Sequence, residues 1–194
     1  MLIGIDASRA ARSERTGTEN YSYHLIQALL CADRESRFRL YFREEPPEGF
    51  FPTDERVEWR VIPFPRLWTH LRLSAEMLSA PPDVLFVPSH VLPLVHPRRS
   101  VVTVHDLGYL HYPEAHTPFA RRYLDWATRF NARVARRVVV DSEATRDDLA
   151  ACYGVDPAKM VVAYPAGAEG MRPVTDEAVL EQVRRRYNTG ARYF

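Results

Sequence analysis

The sequence predicts an α/β domain with a doubly wound, Rossmann-like arrangement around a mostly parallel sheet. Two observations predict this fold class. Several strand-like segments, such as SVVTV at residues 100–104, are apolar or β-branched with no polar face, as expected of strands covered on both sides. Helical patterns alternate with these segments along the chain, which is typical of parallel α/β sheets.

The first elements are a strand, a polar loop and a helix. Residues 2–7 form a short apolar strand, and residues 8–15 form a loop with three arginines. Thr16 and Glu19 are spaced as a capping box, so a helix begins there and continues to about Cys31. Gly17 lies in the first turn, where a ligand can approach the free N–H groups of the helix. We therefore expect a phosphate to fit at this helix start.

The remaining elements follow from apolar spacing and from capping residues. Further strands are predicted at residues 38–42, 57–62, 83–88, 138–140 and 160–164. Further helices are predicted at residues 67–80, 118–136, 143–153 and 175–187, with Ser142 and Thr175 as N-caps and Gly154 as a terminator. Helical spacing places Leu67, Leu71, Ser74 and Leu78 on one face of the first of these helices, and Phe119, Tyr123, Ala127, Phe130 and Val134 on one face of the second. The strands at 83–88 and 100–104 are neighbours only if residues 91–99 cross over irregularly, because that connection is too short for a helix.

Composition excludes several classes of function. The 194 residues carry a net charge of +1 at pH 7, too little for the wide basic field of a nucleic-acid-binding surface. No apolar run approaches the ~20 residues that span a bilayer, and Met1 leads directly into a strand rather than into a signal sequence. We therefore expect a cytoplasmic protein. Cys31 and Cys152 fit no metal-ligand spacing and are interpreted as reduced packing thiols.

Polar residues follow the predicted strands where each strand ends. These pairs are Ser8-Arg9, Ser89-His90, His105-Asp106 and Ser142-Glu143. Ligands of parallel α/β sheets bind beyond the carboxyl ends of the strands, so these pairs are candidates for the site. His105 is suited to donate to a substrate hydroxyl or to stabilise charge beside a leaving phosphate. The alternative is an imidazole satisfied by Asp106 or by a backbone carbonyl.

Common cofactor motifs do not match this sequence. The segment Thr16-Gly17-Thr18 is neither a GxGxxG nor a Walker sequence, which argues against a dinucleotide oxidoreductase and a nucleoside triphosphatase. His111 and His116 lie in a loop and the other histidines are scattered, so no metal site is expected.

A basic stripe lies on the helix predicted over residues 118–136. Its members fall within roughly 60° of each other on a helical wheel, beside Trp126: Arg122, Arg129, Arg133 and Arg136. Such a stripe is able to face anionic lipid headgroups. Ordinary solvated arginines are the alternative, which Asp125 favours because it interrupts the patch.

Four segments resemble the N-terminal half of the family 4 (group 1) retaining glycosyltransferases, which have the GT-B fold. They are RTGTENYSYHLIQALL at 15–30, VTVHDLGYLHYPE at 102–114, VVVDSEATRDDLAACYGV at 138–155 and MVVAYPAGAE at 160–169. The most specific parts are HDL followed by PE, and the serine-led SEATRDDL. The sequence departs from the family pattern in two places: Thr18 and Glu19 stand where a second glycine is common, and Ala166 stands where an asparagine or histidine is usual.

The resemblance implies roles for particular residues. Gly17 and Thr18 would lie against the diphosphate of a nucleotide-sugar donor, and His105 would contact the transferred sugar as the catalytic residue. Six further residues would border the acceptor pocket. They are assigned because they lie near the predicted site, without a matched motif: Arg9, Arg12, Ser89, His90, Asp106 and Tyr109. The family uses no cofactor and no essential metal.

The resemblance also implies a division of labour between domains. Residues 1–190 would form the acceptor-side domain, and residues 191–194 would begin the linker or first strand of a C-terminal donor domain. The whole enzyme would transfer a hexose from a nucleotide diphosphate sugar to a glycan or lipid-linked acceptor, and this domain alone would be inactive. The alternatives are a non-catalytic module that binds a glycan or a protein, and a sugar-nucleotide epimerase.

Overall fold

Seven strands in the described residues form one all-parallel sheet. The computed structural model describes residues 1–12, 14–52, 54–89, 91–167 and 172–190. The strands are β1 (Leu2–Asp6), β2 (Arg37–Phe42), β3 (Val57–Val61), β4 (Val84–Val87), β5 (Ser100–Val104), β6 (Arg137–Val140) and β7 (Met160–Val162). Their order is β3-β2-β1-β4-β5-β6-β7, and every pairing is parallel. The strand order reverses between β1 and β4, as in a doubly wound sheet.

Helices connect most of the strands. They are α1 (Gly17–Ala32), a π-helical turn (Trp68–Leu73) that continues into α2 (Ser74–Ser79), α3 (Gly108–His111), α4 (Pro118–Val134), α5 (Glu143–Tyr153) and α6 (Glu177–Tyr187). Short 3₁₀ turns lie at Pro113–Ala115 and Pro157–Lys159. Within the described residues, no helix combines the length and the apolar character needed to cross a membrane.

The chain divides into two compact units, Met1–Tyr164 and Pro165–Phe194. The first unit contains the sheet and α1 to α5. The second contains α6, whose N-cap is Asp176: its carboxylate accepts from the Ala178 N–H at 2.9 Å. The sequence analysis placed this cap one residue earlier, at Thr175. A carboxylate at the N-terminus of a helix also complements the helix dipole.

Two hydrophobic clusters cover opposite faces of the sheet. Successive side chains of β4 alternate between them: Leu85 and Val87 belong to one cluster, and Phe86 belongs to the other. Leu149 of α5 packs in the first cluster, and Ile26 of α1 packs in the second. Helices therefore cover both faces, which confirms the doubly wound class predicted from the fully apolar strands.

An irregular crossover joins β4 to β5. The two strands pair in parallel, with Leu85 opposite Ser100, and the described residues of the connection contain no helix. The crossover is packed inward because Leu92 is fully buried. Its backbone N–H donates to the side-chain oxygen of Asn131 on α4 at 3.1 Å. The two strands are therefore neighbours through an irregular crossover, as the short connection between them predicted.

The face of the helical segment 67–80 was predicted wrongly. The segment begins with Leu67 in the left-handed region (φ 54°), and the next six residues, Trp68–Leu73, form a π-helix. The predicted stripe is mostly exposed at Leu67, Leu71 and Leu78. The buried side chains are instead Trp68, Leu73, Ser74, Glu76 and Met77. The wider π turn changes the angular spacing of the side chains, so an α-helical wheel identifies the wrong face.

Helix α4 also departs from its predicted pattern. It ends at Val134, so Arg136 lies beyond the helix, where its backbone N–H donates to Ser100 O at 2.7 Å. Ala127 is buried as expected, but Phe119 is 82% exposed. The first turns of the helix follow the loop that leaves the carboxyl edge of the sheet, and they therefore pack less against the core than the later turns do.

Gly4 in β1 is closely packed against Pro82 and Tyr41. A Cβ at this position would lie 2.7 Å from Pro82 Cγ and 2.8 Å from a ring carbon of Tyr41. Both distances are shorter than van der Waals contact. The ring of Pro82 and the fully buried ring of Tyr41 have little room to move, so glycine is required here for close packing.

Candidate active site

The predicted polar pairs gather at the carboxyl edge of the sheet. Ser8 and Arg9 follow β1, Ser89 follows β4, and His105 and Asp106 follow β5. Since β1, β4 and β5 are neighbours in the sheet, their ends lie around the crevice where the strand order reverses. This is the usual ligand position in an open parallel sheet.

Both ring nitrogens of His105 have partners inside the protein. Nδ1 lies 2.6 Å from Asp141 Oδ2, and Nε2 lies 3.0 Å from the carbonyl oxygen of Pro88. The ring of Tyr21 contacts the imidazole edge-on, with 4.8 Å between the ring centroids. The backbone carbonyl of His105 accepts from the Thr145 hydroxyl at 3.1 Å. His105 is therefore fixed at its ring and at its backbone, and its carboxylate partner is Asp141, not Asp106.

A cavity of about 170 Å³ opens beside His105. Its wall combines the first turn of α1, the end of β5 and the inner side of α4, including Thr18, His105, Asp106, His116, Tyr123 and Thr128. A larger surface depression of about 400 Å³ lies on the far side of Tyr109 and is lined by Arg121, Arg122 and Asp125. We take the smaller cavity as the site because it joins His105 to the start of α1.

Glu19 organises the loop between β1 and α1. Its carboxylate accepts from Arg9 Nη1 at 3.1 Å and from the Thr16 backbone N–H at 3.2 Å, and it also pairs with the Thr16 hydroxyl. Arg12 Nη1 lies 3.9 Å from the same carboxylate. The predicted capping box is present, and it also anchors two of the arginines assigned to the acceptor pocket.

The electrostatics of this loop favour an ionised Glu19. Burial alone would raise its pKa, because Glu19 is only 3% exposed. The hydrogen bonds from the Thr16 hydroxyl, Arg9 and the Thr16 N–H outweigh burial and lower the pKa to about 2. At the end of β1, burial raises the pKa of Asp6, although Ser8 donates to it from both its N–H and its hydroxyl. Asp6 therefore anchors the start of the β1–α1 loop through Ser8, and Glu19 anchors its end through Thr16.

Gly17 and Thr18 form the exposed start of α1. A Cβ on Gly17 would meet no atom within 4 Å, so the space in front of this turn is open. Thr18 lines the same cavity as His105. The first N–H groups and the positive end of the helix dipole are therefore accessible to an anionic ligand at this corner of the site.

Asp106 and Tyr109 shape the loop after β5. Asp106 Oδ1 accepts from the Gly108 N–H at 2.8 Å, which closes the turn into α3. Tyr109 is buried, and its hydroxyl contacts the hydroxyls of Thr128 at 2.9 Å and Tyr153 at 2.6 Å. Both side chains line the cavity; the Tyr109 hydroxyl and Asp106 Oδ1 already have partners within the protein.

The remaining predicted residues differ in their placement. Ser89 is buried at the end of β4, and His90 lies outside the described residues. Ser142 acts as an N-cap: its hydroxyl accepts from the Thr145 N–H at 3.1 Å. In the part of the chain that the structure describes, no group of three or more histidine, cysteine or acidic side chains is arranged to hold a metal ion.

Sequence reasoning did not assign Glu19, His116, Tyr123 or Asp141 to the site. Glu19 was recognised only as a capping residue, and Asp141 only as the residue after a strand. A signal for Asp141 was present, since the β-branched stretches 101–104 and 138–140 are each followed directly by a titratable residue, His105 and Asp141. Their adjacency in the sheet makes Asp141 a partner of His105. Tyr123 was assigned to a core stripe, and it lines the cavity instead.

Comparison with known proteins identifies the family. Residues 16–166 match the sequence model of the glycosyl transferase 4-like domain. The chain belongs to this family. The resemblance drawn from the four motif segments is thereby confirmed, and the chain is a glycosyltransferase-family domain. No curated protein matches the sequence.

Solved glycosyltransferase-like structures share its fold. WaaG, a glycosyltransferase involved in lipopolysaccharide biosynthesis, is 13% identical with a TM-score of 0.61 over 98% of this chain and 52% of its own. Anabaena Alr3699/HepE, in complex with UDP-glucose, is 12% identical with a TM-score of 0.57 over 96% of this chain and 49% of its own. This chain thus spans about half the length of each. The expected Rossmann-like half of a GT-B fold is confirmed.

Proposed function

We propose that this chain is the acceptor-side domain of a retaining glycosyltransferase, comprising residues 1–190. The whole enzyme transfers a hexose from a nucleotide diphosphate sugar to a glycan or lipid-linked acceptor. One observation carries the proposal: the cavity at the carboxyl edge of the sheet joins His105 to the open first turn of α1. The structural neighbour HepE, solved with UDP-glucose and with UDP and glucose, supports a nucleotide-sugar donor.

In this proposal the two ends of the cavity serve the donor. The N–H groups around Gly17 and Thr18 face the diphosphate, because an oriented helix start favours negative charge. His105 lies beside the anomeric carbon of the transferred sugar. The donor domain that completes the nucleotide site begins around residues 191–194.

The acceptor occupies the part of the crevice beyond the ends of β1, β4 and β5. The residues assigned to it are Arg9, Arg12, Ser89, His90, Asp106 and Tyr109. The two arginines are held on Glu19, so their guanidinium groups form a preorganised basic wall for hydroxyl or phosphate groups of the acceptor. Tyr109 contributes through the shape of the loop, since its hydroxyl is bonded internally, and Asp106 closes the turn through Oδ1.

The proposed reaction exchanges one bond for another at the anomeric carbon. The bond between that carbon and the diphosphate oxygen breaks, and a bond to the acceptor oxygen forms on the same face. The acceptor proton passes to the departing phosphate. This scheme does not require the paired carboxylates of a glycosidase, and it needs no cofactor or metal.

The isolated domain is inactive in this proposal, because it does not by itself hold donor and acceptor together. Such positioning is worth on the order of 7–11 kcal/mol in favourable cases. The test compares the intact protein from its source cells with residues 1–190, using a panel of nucleotide sugars and detection of glycosylated product. We expect transfer with retention of anomeric configuration by the intact protein only. Turnover by residues 1–190 contradicts the inactivity, and no transfer by the intact protein favours a binding module.

We also propose that the domain is cytoplasmic and touches the inner membrane face through α4 and the residue that follows it. Arg122 and Arg133 are exposed on this helix, near the exposed aromatic side chains of Phe119 and Trp126. Arg129 is less available, because its Nε donates to Asp125 at 2.9 Å. Arg136, the fourth member of the predicted basic stripe, lies just past the helix. Basic and aromatic side chains together favour anionic lipid headgroups.

Vesicle sedimentation tests this contact. We expect binding to anionic vesicles that falls as salt rises, and a loss of binding in Arg122→Gln/Arg133→Gln. Arg129→Gln is the matched control, since its guanidinium is already paired. Equal recovery with neutral and anionic vesicles contradicts the proposal.

A further inference from the structure

The carboxyl ends of three neighbouring strands meet at the imidazole of His105. His105 follows β5, Pro88 follows β4 on one side, and Asp141 follows β6 on the other. The contacts are 3.0 Å to the Pro88 carbonyl and 2.6 Å to the Asp141 carboxylate. The histidine side chain is only 14% exposed, so water has little access to replace either partner.

Both partners of the ring are hydrogen-bond acceptors. A peptide carbonyl has no proton to donate, and neither does an ionised carboxylate. A neutral imidazole has one N–H and therefore satisfies one of the two contacts. With Asp141 ionised, both contacts are hydrogen bonds only when Nδ1 and Nε2 each carry a proton, which is the charged form of the ring.

The surroundings of Asp141 favour the same state. Among the described residues, His105 is its only ion-pair partner, and its Oδ1 is buried without a hydrogen bond. A largely buried carboxylate is costly unless a cation compensates it. The other titratable groups around the ring are Tyr21, which packs edge-on against it, and four residues that line the cavity: Asp106, Tyr109, His116 and Tyr123. A cation that compensates Asp141 in this contact is therefore the charged ring of His105.

We propose that Asp141 is a positioning residue that holds His105 as a fixed imidazolium. In this form His105 has no free nitrogen for proton exchange with a substrate. It acts instead by its charge, placed before the reaction begins and aimed at a group that becomes negative. The identity of that group rests on the proposed function: it is the diphosphate oxygen released as the bond to the anomeric carbon breaks.

Histidine NMR tests the charge state without any assay of activity. The chain is labelled with ¹⁵N-histidine, and long-range proton–nitrogen correlations report the protonation of both ring nitrogens. At neutral pH we expect both nitrogens of His105 to be protonated in the wild type, and one of them to lose its proton in Asp141→Asn. A wild-type His105 with a single protonated nitrogen overturns the proposal, and this holds even if the variant does not fold.

The chain provides a matched control for this substitution. Asp148 contacts His111 Nε2 at 2.7 Å, which is the same kind of pair on the exposed side of α5. Asp148→Asn therefore removes an equivalent carboxylate away from the cavity. We expect it to leave the His105 signals unchanged. An equal change of the His105 signals in both variants contradicts a specific role of Asp141.

Steady-state kinetics of the intact protein distinguish a role of Asp141 in positioning His105 from a role in the stability of the fold. We expect Asp141→Asn to lower kcat by roughly a hundredfold with little change in KM for the nucleotide sugar, and Asp148→Asn to change neither. Unchanged kcat in Asp141→Asn overturns the proposal. If the wild type transfers no sugar, the proposed function fails, and the NMR result still decides whether Asp141 holds a charged His105.

Discussion

Replacement of Glu19 by glutamine removes the charge that holds the β1–α1 loop. The glutamine side chain has nearly the same shape, so the change is mainly electrostatic. In the wild type, hydrogen bonds from Thr16 and Arg9 overcome burial and lower the pKa from 4.5 to about 2. A lowered pKa means that the ionised carboxylate is more stable in the folded state than in the unfolded state. Glu19→Gln should therefore destabilise the fold at neutral pH.

The magnitude follows from the pKa difference. At about 1.4 kcal/mol per pH unit, a fall from 4.5 to about 2 corresponds to about 3 kcal/mol of stability. This contribution is fully present above pH 4.5, and it is lost as the pH falls from 4.5 towards 2. The free energy of unfolding of the wild type should therefore approach that of Glu19→Gln in acid.

Urea unfolding followed by circular dichroism measures the effect at about pH 7 and about pH 3. The matched control is Glu58→Gln. Glu58 also accepts from an arginine, Arg39 Nε at 2.8 Å, but its side chain is 39% exposed, so we expect a loss of about 0–1 kcal/mol. The reasoning is refuted if Glu19→Gln loses no more stability than Glu58→Gln, or if its loss is the same at both pH values.

Two further substitutions test the packing and capping arguments by urea unfolding. Gly4→Ala should destabilise by about 1–3 kcal/mol, because the new Cβ meets Pro82 and Tyr41 at less than 3 Å. Gly17→Ala is its control, since a Cβ there meets nothing within 4 Å, and equal losses in the two variants contradict the packing argument. Ser142→Ala should cost about 1 kcal/mol through loss of the α5 cap, whereas an unchanged midpoint would show that the cap contributes no stability.

The strands were predictable because their signal is local. A strand buried on both faces has no polar face, and the sequence shows this in β4, in residues 101–104 of β5 and in residues 138–140 of β6. The caps at Thr16 and Ser142 were predictable for the same reason, since each involves a contact over three positions. The helical face at residues 67–80 was not, because the π-helical turn changes the period on which the prediction depends.

The geometry of the candidate site depends on contacts that are distant in the sequence. His105 and Asp141 are 36 positions apart, and they meet only because β5 and β6 are neighbours in the sheet. The alternative to a catalytic His105 was a ring satisfied by Asp106 or by a backbone carbonyl. The ring does contact a backbone carbonyl, that of Pro88, but its carboxylate partner is Asp141. The contact of Arg9 with Glu19 was missed for a related reason, since an irregular loop has no period from which its fold can be predicted.

The central claim is that His105 lies at the place where the sugar is transferred. The most direct test is the turnover of the intact protein with nucleotide sugars, compared with that of His105→Ala and of His111→Ala, whose histidine is exposed on α3. The account predicts a strong loss of kcat in His105→Ala and wild-type turnover in His111→Ala. Full turnover by His105→Ala would contradict it and would move the reacting centre away from the end of β5.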